Sequence, residues 1–219
     1  MMTHVILLAC LLILSMTLPT ATHAETANEK STAATNPIFI YRLTPYWDSL
    51  RLYFDAQTRI QLPKRVEDAL LHEIPLTFTT QIEVRQSKTL AGVSYHGTLK
   101  EIHYETDLSY FNFNQKFLLM NQRNKKVKLF SSLEKALETL GTFERFPLLT
   151  LDDFPTLAEG TRYEVRMRIA LNRWKLPAPL TLEALYLSDW DLDSGWVGVP
   201  IPLPNFDAPA TTEALPKTP

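Results

Sequence analysis

Leu76-Thr77-Phe78-Thr79-Thr80-Gln81-Ile82-Glu83-Val84-Arg85 is the stretch on which the fold turns. Its even positions are Leu, Phe, Thr, Ile and Val, and its odd positions are polar or charged from Thr77 through Arg85. Side chains on a strand alternate between faces, so this segment packs one face on a core and wets the other. The same habit returns at Tyr163, where Val165, Met167, Ile169 and Leu171 alternate with Glu164, Arg166 and Arg168. It also marks Leu50–Ala56, whose even positions are apolar. One wet face per strand belongs to antiparallel sheets, because parallel sheets are covered on both sides.

Working outward, further strands are expected at Pro37–Leu43, Val93–Leu99, Ile102–Tyr110, Lys116–Asn121, Lys126–Phe130 and Leu180–Leu187. Polar turns at Asn112–Gln115 and Gln122–Lys125 separate neighbours. Two stretches change to helical period. After Pro63, which suits a first helical position, Val66, Ala69, Leu70 and Ile74 share a face. Ser131-Ser132-Leu133-Glu134 has the form of a capping box, and Leu133, Ala136, Leu137 and Leu140 follow at helical spacing. Gly141 then fits the left-handed residue that ends many helices. Helices this short do not persist alone, so they must plug an end or edge of the sheets. The fold expected is mainly β, an antiparallel β-sandwich with two short helices. A partly closed β-barrel is the alternative, since both show the same alternation.

The ends read differently. Val5–Leu14 is an unbroken apolar run of ten residues, the length of a signal-peptide core and half of the roughly 20 residues a spanning helix needs. Thr22-His23-Ala24 offers small residues at both positions a signal peptidase reads, so residues 1–24 are expected to be a signal peptide cleaved after Ala24. Leu7-Leu8-Ala9-Cys10 has the form of a lipoprotein box, yet the apolar run continues past Cys10 through Leu14, which argues against acylation there. Cys10 is the single cysteine, so cleavage leaves no disulfide, thiol nucleophile or cysteine-ligated metal. Residues 25–36 form a polar leader. Residues 200–219, with prolines at 200, 202, 204, 209, 216 and 219, are expected to be a disordered tail. Residues 37–199 remain as a single β-rich domain, long enough to bury about 70% of its unfolded surface. The expected setting is periplasmic, with no transmembrane segment in the mature chain. A formal net charge of −2 gives no general pull toward nucleic acid.

In the order and spacing of several short motifs the chain resembles the DUF4390 family of exported bacterial proteins. These are Ser131-x-Leu133-Glu134-x-Ala136-Leu137 and Glu159-Gly160-x-x-Tyr163-x-Val165-Arg166-x-Arg168, then Leu176-Pro177-x-Pro179-Leu180 and Ser188-Asp189-Trp190-x-Leu192-x-Ser194-x-Trp196. The resemblance covers about residues 40 to 198. It implies an envelope location and the company of a membrane sensor kinase of the nitrogen-regulation type. It implies no activity and no catalytic residues.

Chemical motifs fail in detail. Asp189, Asp191 and Asp193 precede Gly195 as in a calcium loop, but the glycine is one place late and Pro200 stands where a bidentate Glu belongs. The alternation instead predicts that Trp190, Leu192 and Trp196 anchor this segment while the acids meet water. Glu101, His103 and Glu105 share a strand face, but with Ile102 and Tyr104 between them this is an ordinary wet face. His72-Glu73 begins a zinc helix whose second histidine position is Leu76. No Gly-x-Ser-x-Gly or phosphate loop is present, and with His72, His96 and His103 left after cleavage no triad is specified. No catalytic, cofactor or metal residue is therefore assigned.

One face stands out as an interaction surface. Arg162, Arg166, Arg168 and Arg173, with Trp174 and Lys175, would suit an anionic glycan, a lipid headgroup or a partner loop, although Glu164 interrupts the row. The function expected is a non-enzymatic periplasmic interaction module, accessory to a sensor kinase system. The alternative is a carrier of a lipid or small apolar ligand, its cavity lined by Tyr104, Tyr110, Phe111, Phe113 and Phe117.

Overall fold

The structure is a computed structural model, and it describes residues 36–90, 92–154 and 161–202. The expected signal peptide, most of the leader and most of the tail, with Cys10, Glu159 and Gly160, lie outside the described residues. Two antiparallel sheets make up the fold, which is mainly β and built as a sandwich. Among the described residues neither sheet closes into a barrel.

The larger sheet is built on the stretch that opened the reading, which is β3 (Leu76–Leu90). It lies between β4 (Val93–Phe111) and β8 (Thr161–Leu171). Beyond β4 come β5 (Lys116–Asn121) and β6 (Val127–Phe130), and beyond β8 comes β9 (Val197–Pro200). The smaller sheet has β2 (Arg51–Ile60) between β1 (Ile38–Asp48) and β7 (Thr142–Thr150). The predicted alternation is the burial pattern. Leu76, Phe78, Ile82, Val165, Met167 and Ile169 are fully buried, as are Leu52, Phe54 and Ala56 from β2, all within one apolar core.

The register explains two departures. Val93–Leu99 and Ile102–Tyr110 are one strand rather than two. Val84 pairs with Lys100 but Arg85 pairs with Thr98, so Leu99 is an extra bulged residue that shifts the phase of the alternation. The strand β7 was not foreseen. Pro147 lies in it, tolerated because β7 is an edge, and Arg145 has a φ of 46°. Two register shifts against β2 erase any period-2 signal.

Among the described residues there are three α-helices, not two. Helix α1 (Lys64–Leu71) buries Val66 and Leu70 as expected. Helix α2 (Leu133–Gly141) is capped by Ser132, whose side chain accepts from Lys135 N–H at 3.4 Å, one residue later than the sequence suggested. Gly141 is helical and not left-handed. Its requirement is steric, since a Cβ there would lie 2.5 Å from the Thr58 carbonyl oxygen on β2. The segment Leu180–Leu187 is not a strand but most of helix α3 (Ala178–Tyr186). Pro177 and Pro179 pre-set its first turn, and the Thr181 hydroxyl donates to the Leu176 carbonyl at 2.5 Å. Leucine is so dense here that the segment satisfies both periods. No helix among the described residues is long and apolar enough to cross a membrane.

The segment after α3 returns to the large sheet. Trp190 and Leu192 are buried, and Leu171 N–H donates to the Leu192 carbonyl at 2.8 Å. Trp196 is only partly buried and serves instead as a platform for Arg166. Sheet bonding reaches into the stretch expected to be tail. Ile201 N–H donates to Tyr163, and Trp47 Nε1–H donates to the Pro202 carbonyl, each at 2.8 Å.

Candidate functional site

The expected basic face divides once its geometry is known. Arg162, Arg166 and Arg168 do project from the same side of β8, as alternation requires. Arg168 is consumed by Asp193, its Nε donating to the two carboxylate oxygens at 2.9 and 3.1 Å. Burial would raise the Asp193 carboxyl, but Arg168 and the Gly195 N–H outweigh it and hold the group below the ordinary aspartate range. Arg166 lies over the Trp196 ring, its guanidinium carbon 5.0 Å from the centroid. Arg173 reaches Asp191 at 3.7 Å and donates to the Ala184 carbonyl at 3.2 Å. Lys175 bonds Glu105 at 2.7 Å, and that contact draws the Glu105 carboxyl below its ordinary value. Most of the cations read as an open surface are thus internal fasteners. Trp174, Arg162 and Lys175 are the exposed members, and of the two cations only Lys175 holds a carboxylate among the described residues.

Trp174 has company that the strand reading concealed. It sits in a short 3-10 turn, Arg173–Lys175, held by Asn172, whose side-chain oxygen accepts from Trp174 N–H at 3.2 Å. Immediately after it, α3 carries two apolar stripes. Leu180 and Ala184, four residues apart, face inward behind the buried Leu176 that precedes the helix, and Ala184 is fully buried. Leu182, Leu185 and Tyr186 form the outer stripe at i, i+3 and i+4, with Leu187 beside them. Exposure is 74% at Trp174, 63% at Leu182 and 86% at Tyr186, so this stripe has no cover within the described chain. A helix apolar on both sides is ordinarily buried on both sides.

The acids around this face already have partners within the chain. Arg65 of α1 holds Glu183 at 2.7 Å and Asp189 at 3.3 Å, which fastens α3 to α1 and shares one cation between the two acids. With Arg173 on Asp191, three acids share two arginines, and the rim keeps one net negative charge.

The remaining constellations stay apart. Glu105 turns to Lys175 and Asn172, leaving His103 exposed beside it. Among the described residues no three His, Cys, Asp or Glu side chains gather as a metal-binding group. The five aromatic residues proposed to line a cavity do not share one. Tyr104 packs with Phe143 and Phe146, Tyr110 packs with Phe117, and Phe111 and Phe113 face solvent. A hollow of about 200 Å³ between Tyr104, Leu119, Leu140 and Phe143 has Lys126 and Lys128 at its lining.

A family model described as a domain of unknown function, DUF4390, matches residues 41–200. No curated protein and no solved structure matches the chain.

Proposed function

This chain belongs to the DUF4390 family, and from that premise we propose that it is a non-enzymatic interaction module of the periplasm. It docks an envelope protein through Trp174 and the outer stripe of α3. The observation that supports the reading is that uncovered stripe. Trp174, Leu182 and Tyr186 are exposed at and just before a helix whose inner side is already buried at Ala184. Burying each such side chain contributes about 1.5–3 kcal/mol, and tryptophan and tyrosine are the commonest anchors of protein interfaces. Glu183, Asp189 and Asp191 already share Arg65 and Arg173, so a partner that covers this rim has one net negative charge to meet with a cation of its own.

The periplasmic setting rests on the signal-peptide pattern of residues 1–24. The first partner to test is the periplasmic domain of a membrane sensor kinase. Purified chain is titrated against that purified domain, with the Leu182→Ser, Tyr186→Ser double variant alongside. Saturable binding that weakens at least tenfold in the variant is expected. No binding, together with no genetic interaction between the two, would sink the sensor-kinase assignment.

A further inference from the structure

On the open face of the large sheet, three strands bring two arginines and a histidine to a shared hollow. The β3–β8 register sets Ser87 opposite Arg162, and the β3–β4 register sets Ser87 opposite His96. Directly opposed residues project to the same side, so Arg162, Ser87 and His96 form one row across three adjacent strands. Arg85, two residues from Ser87, stands on that side as well, just beyond the bulge that re-aims β3 against β4. These four side chains, with Glu164 and Pro200, line a hollow of about 340 Å³.

Several arginines elsewhere in the fold are already paired. Arg65, Arg145, Arg168 and Arg173 each hold a carboxylate, whereas neither Arg85 nor Arg162 makes an ion pair among the described residues. Glu164 is opposite Arg85 in register, but its carboxylate leans the other way, over β9. It fills the space at Gly198, where any Cβ would overlap it. Gly198 thereby lets the only nearby acid of the hollow's lining turn aside from the guanidiniums.

We propose that this hollow binds a phosphate ester. Each guanidinium presents five N–H donors in a planar fork that matches phosphate oxygens, and the two forks start from different strands. The Ser87 hydroxyl and the His96 ring lie between and beside them. Donors converging from several directions suit the tetrahedral arrangement of phosphate oxygens better than the two coplanar oxygens of a carboxylate. The hollow falls within the range of small-molecule sites, about 300–1,000 Å³, which leaves room for an organic substituent on the phosphate. That chemistry is shared by soluble phosphomonoesters and by anionic phospholipid headgroups. The proposal is independent of the Trp174–α3 reading, since none of its residues lies there.

Two probes separate the sources: calorimetric titration of the full chain with glycerol 3-phosphate, and flotation with vesicles of phosphatidylglycerol in phosphatidylcholine against phosphatidylcholine alone. Arg85→Gln and Arg162→Gln are compared with Arg123→Gln, an equal charge change in the exposed β5–β6 turn, after thermal unfolding confirms that all three fold. Saturable binding of either probe, weakened at least tenfold by each of the first two substitutions and unchanged by the third, is the result expected. Glycerol 3-phosphate binding assigns a soluble ester, and flotation alone assigns a lipid headgroup. Arg162→Lys, which keeps the charge and loses the fork, should bind at an intermediate level. Failure of both probes to bind, or equal weakening by Arg123→Gln, would overturn the assignment.

Discussion

Replacing Gly141 by alanine sets two effects of opposite sign against each other. In a helix, alanine is favoured over glycine by about 1 kcal/mol. At this position the new Cβ would come 2.5 Å from the Thr58 carbonyl oxygen and 3.1 Å from Thr58 Cβ, and ordinary contact begins near 3.4 Å. The strand must therefore retreat by about 0.9 Å at its closest point. It has little freedom to do so, because Thr58 pairs with Ile40 on β1 and its neighbour Gln57 pairs with Thr142 on β7. Overpacking of this kind costs about 1–3 kcal/mol, and overlap with backbone rather than a flexible side chain places it at the upper end. The net expectation is a loss of about 1–2 kcal/mol. For a domain of this size that lowers the unfolding midpoint by about 2–8 °C in a thermal melt followed by circular dichroism. Gly141→Asn discriminates further. A left-handed cap would tolerate asparagine better than alanine, whereas close approach makes the larger residue worse. A midpoint raised by alanine, or an asparagine variant more stable than the alanine one, would refute the steric account.

Other outcomes follow from the same core. Trp190→Ala empties the largest fully buried side chain and should cost about 3–5 kcal/mol in urea unfolding; a loss below 1 kcal/mol would contradict its anchoring role. Thr58→Val replaces a buried hydroxyl that has no hydrogen-bond partner with an isosteric methyl, so stability should rise by about 1 kcal/mol, and a fall would show that the hydroxyl is in use. The Asp193 carboxyl titrates below its ordinary value, so the stability it lends is present above the unfolded aspartate pKa of about 3.9 and is lost as pH falls through the folded one. Asp193→Asn should therefore cost about 1 kcal/mol at neutral pH, and the gap from the parent chain should narrow only as pH falls below the unfolded aspartate range; a gap independent of pH would exclude the Arg168 pair as its cause.

Strands β3, β5 and β8 were legible because an uninterrupted period of two survives wherever one face is buried and no bulge intervenes. Where a bulge enters, as at Leu99, the phase slips and one long strand reads as two. Pro147 and the left-handed Arg145 hid β7 for a related reason, since local breakers are admitted at an edge but look like a loop from sequence. Helix α3 was concealed by composition, because a leucine-rich segment fits both periods. Its signal was the pair Pro177 and Pro179 before Leu180 and Ala184, which stand four residues apart.

The candidate face inherited those limits. Trp174 was visible as an aromatic among cations, but Leu182, Leu185 and Tyr186 join it only when α3 is helical. Arg168 and Arg173 looked available because their acids, Asp193 and Asp191, come from a segment that only the fold returns to β8. Ion-pair partners distant in sequence leave no trace in a local pattern. The same holds for Arg85 and His96, which meet Arg162 through register alone.

The central claim is that Trp174 and the outer stripe of α3 form a docking surface for an envelope protein. In-cell cross-linking in the native envelope, followed by affinity purification and mass spectrometry, tests it most directly when the parent chain is compared with a Trp174→Ala, Leu182→Ser, Tyr186→Ser variant of equal abundance. The account predicts one reproducible envelope partner that is captured by the parent chain and lost from the variant. Capture of the same partner at equal yield by both chains, or no partner for either, would contradict it.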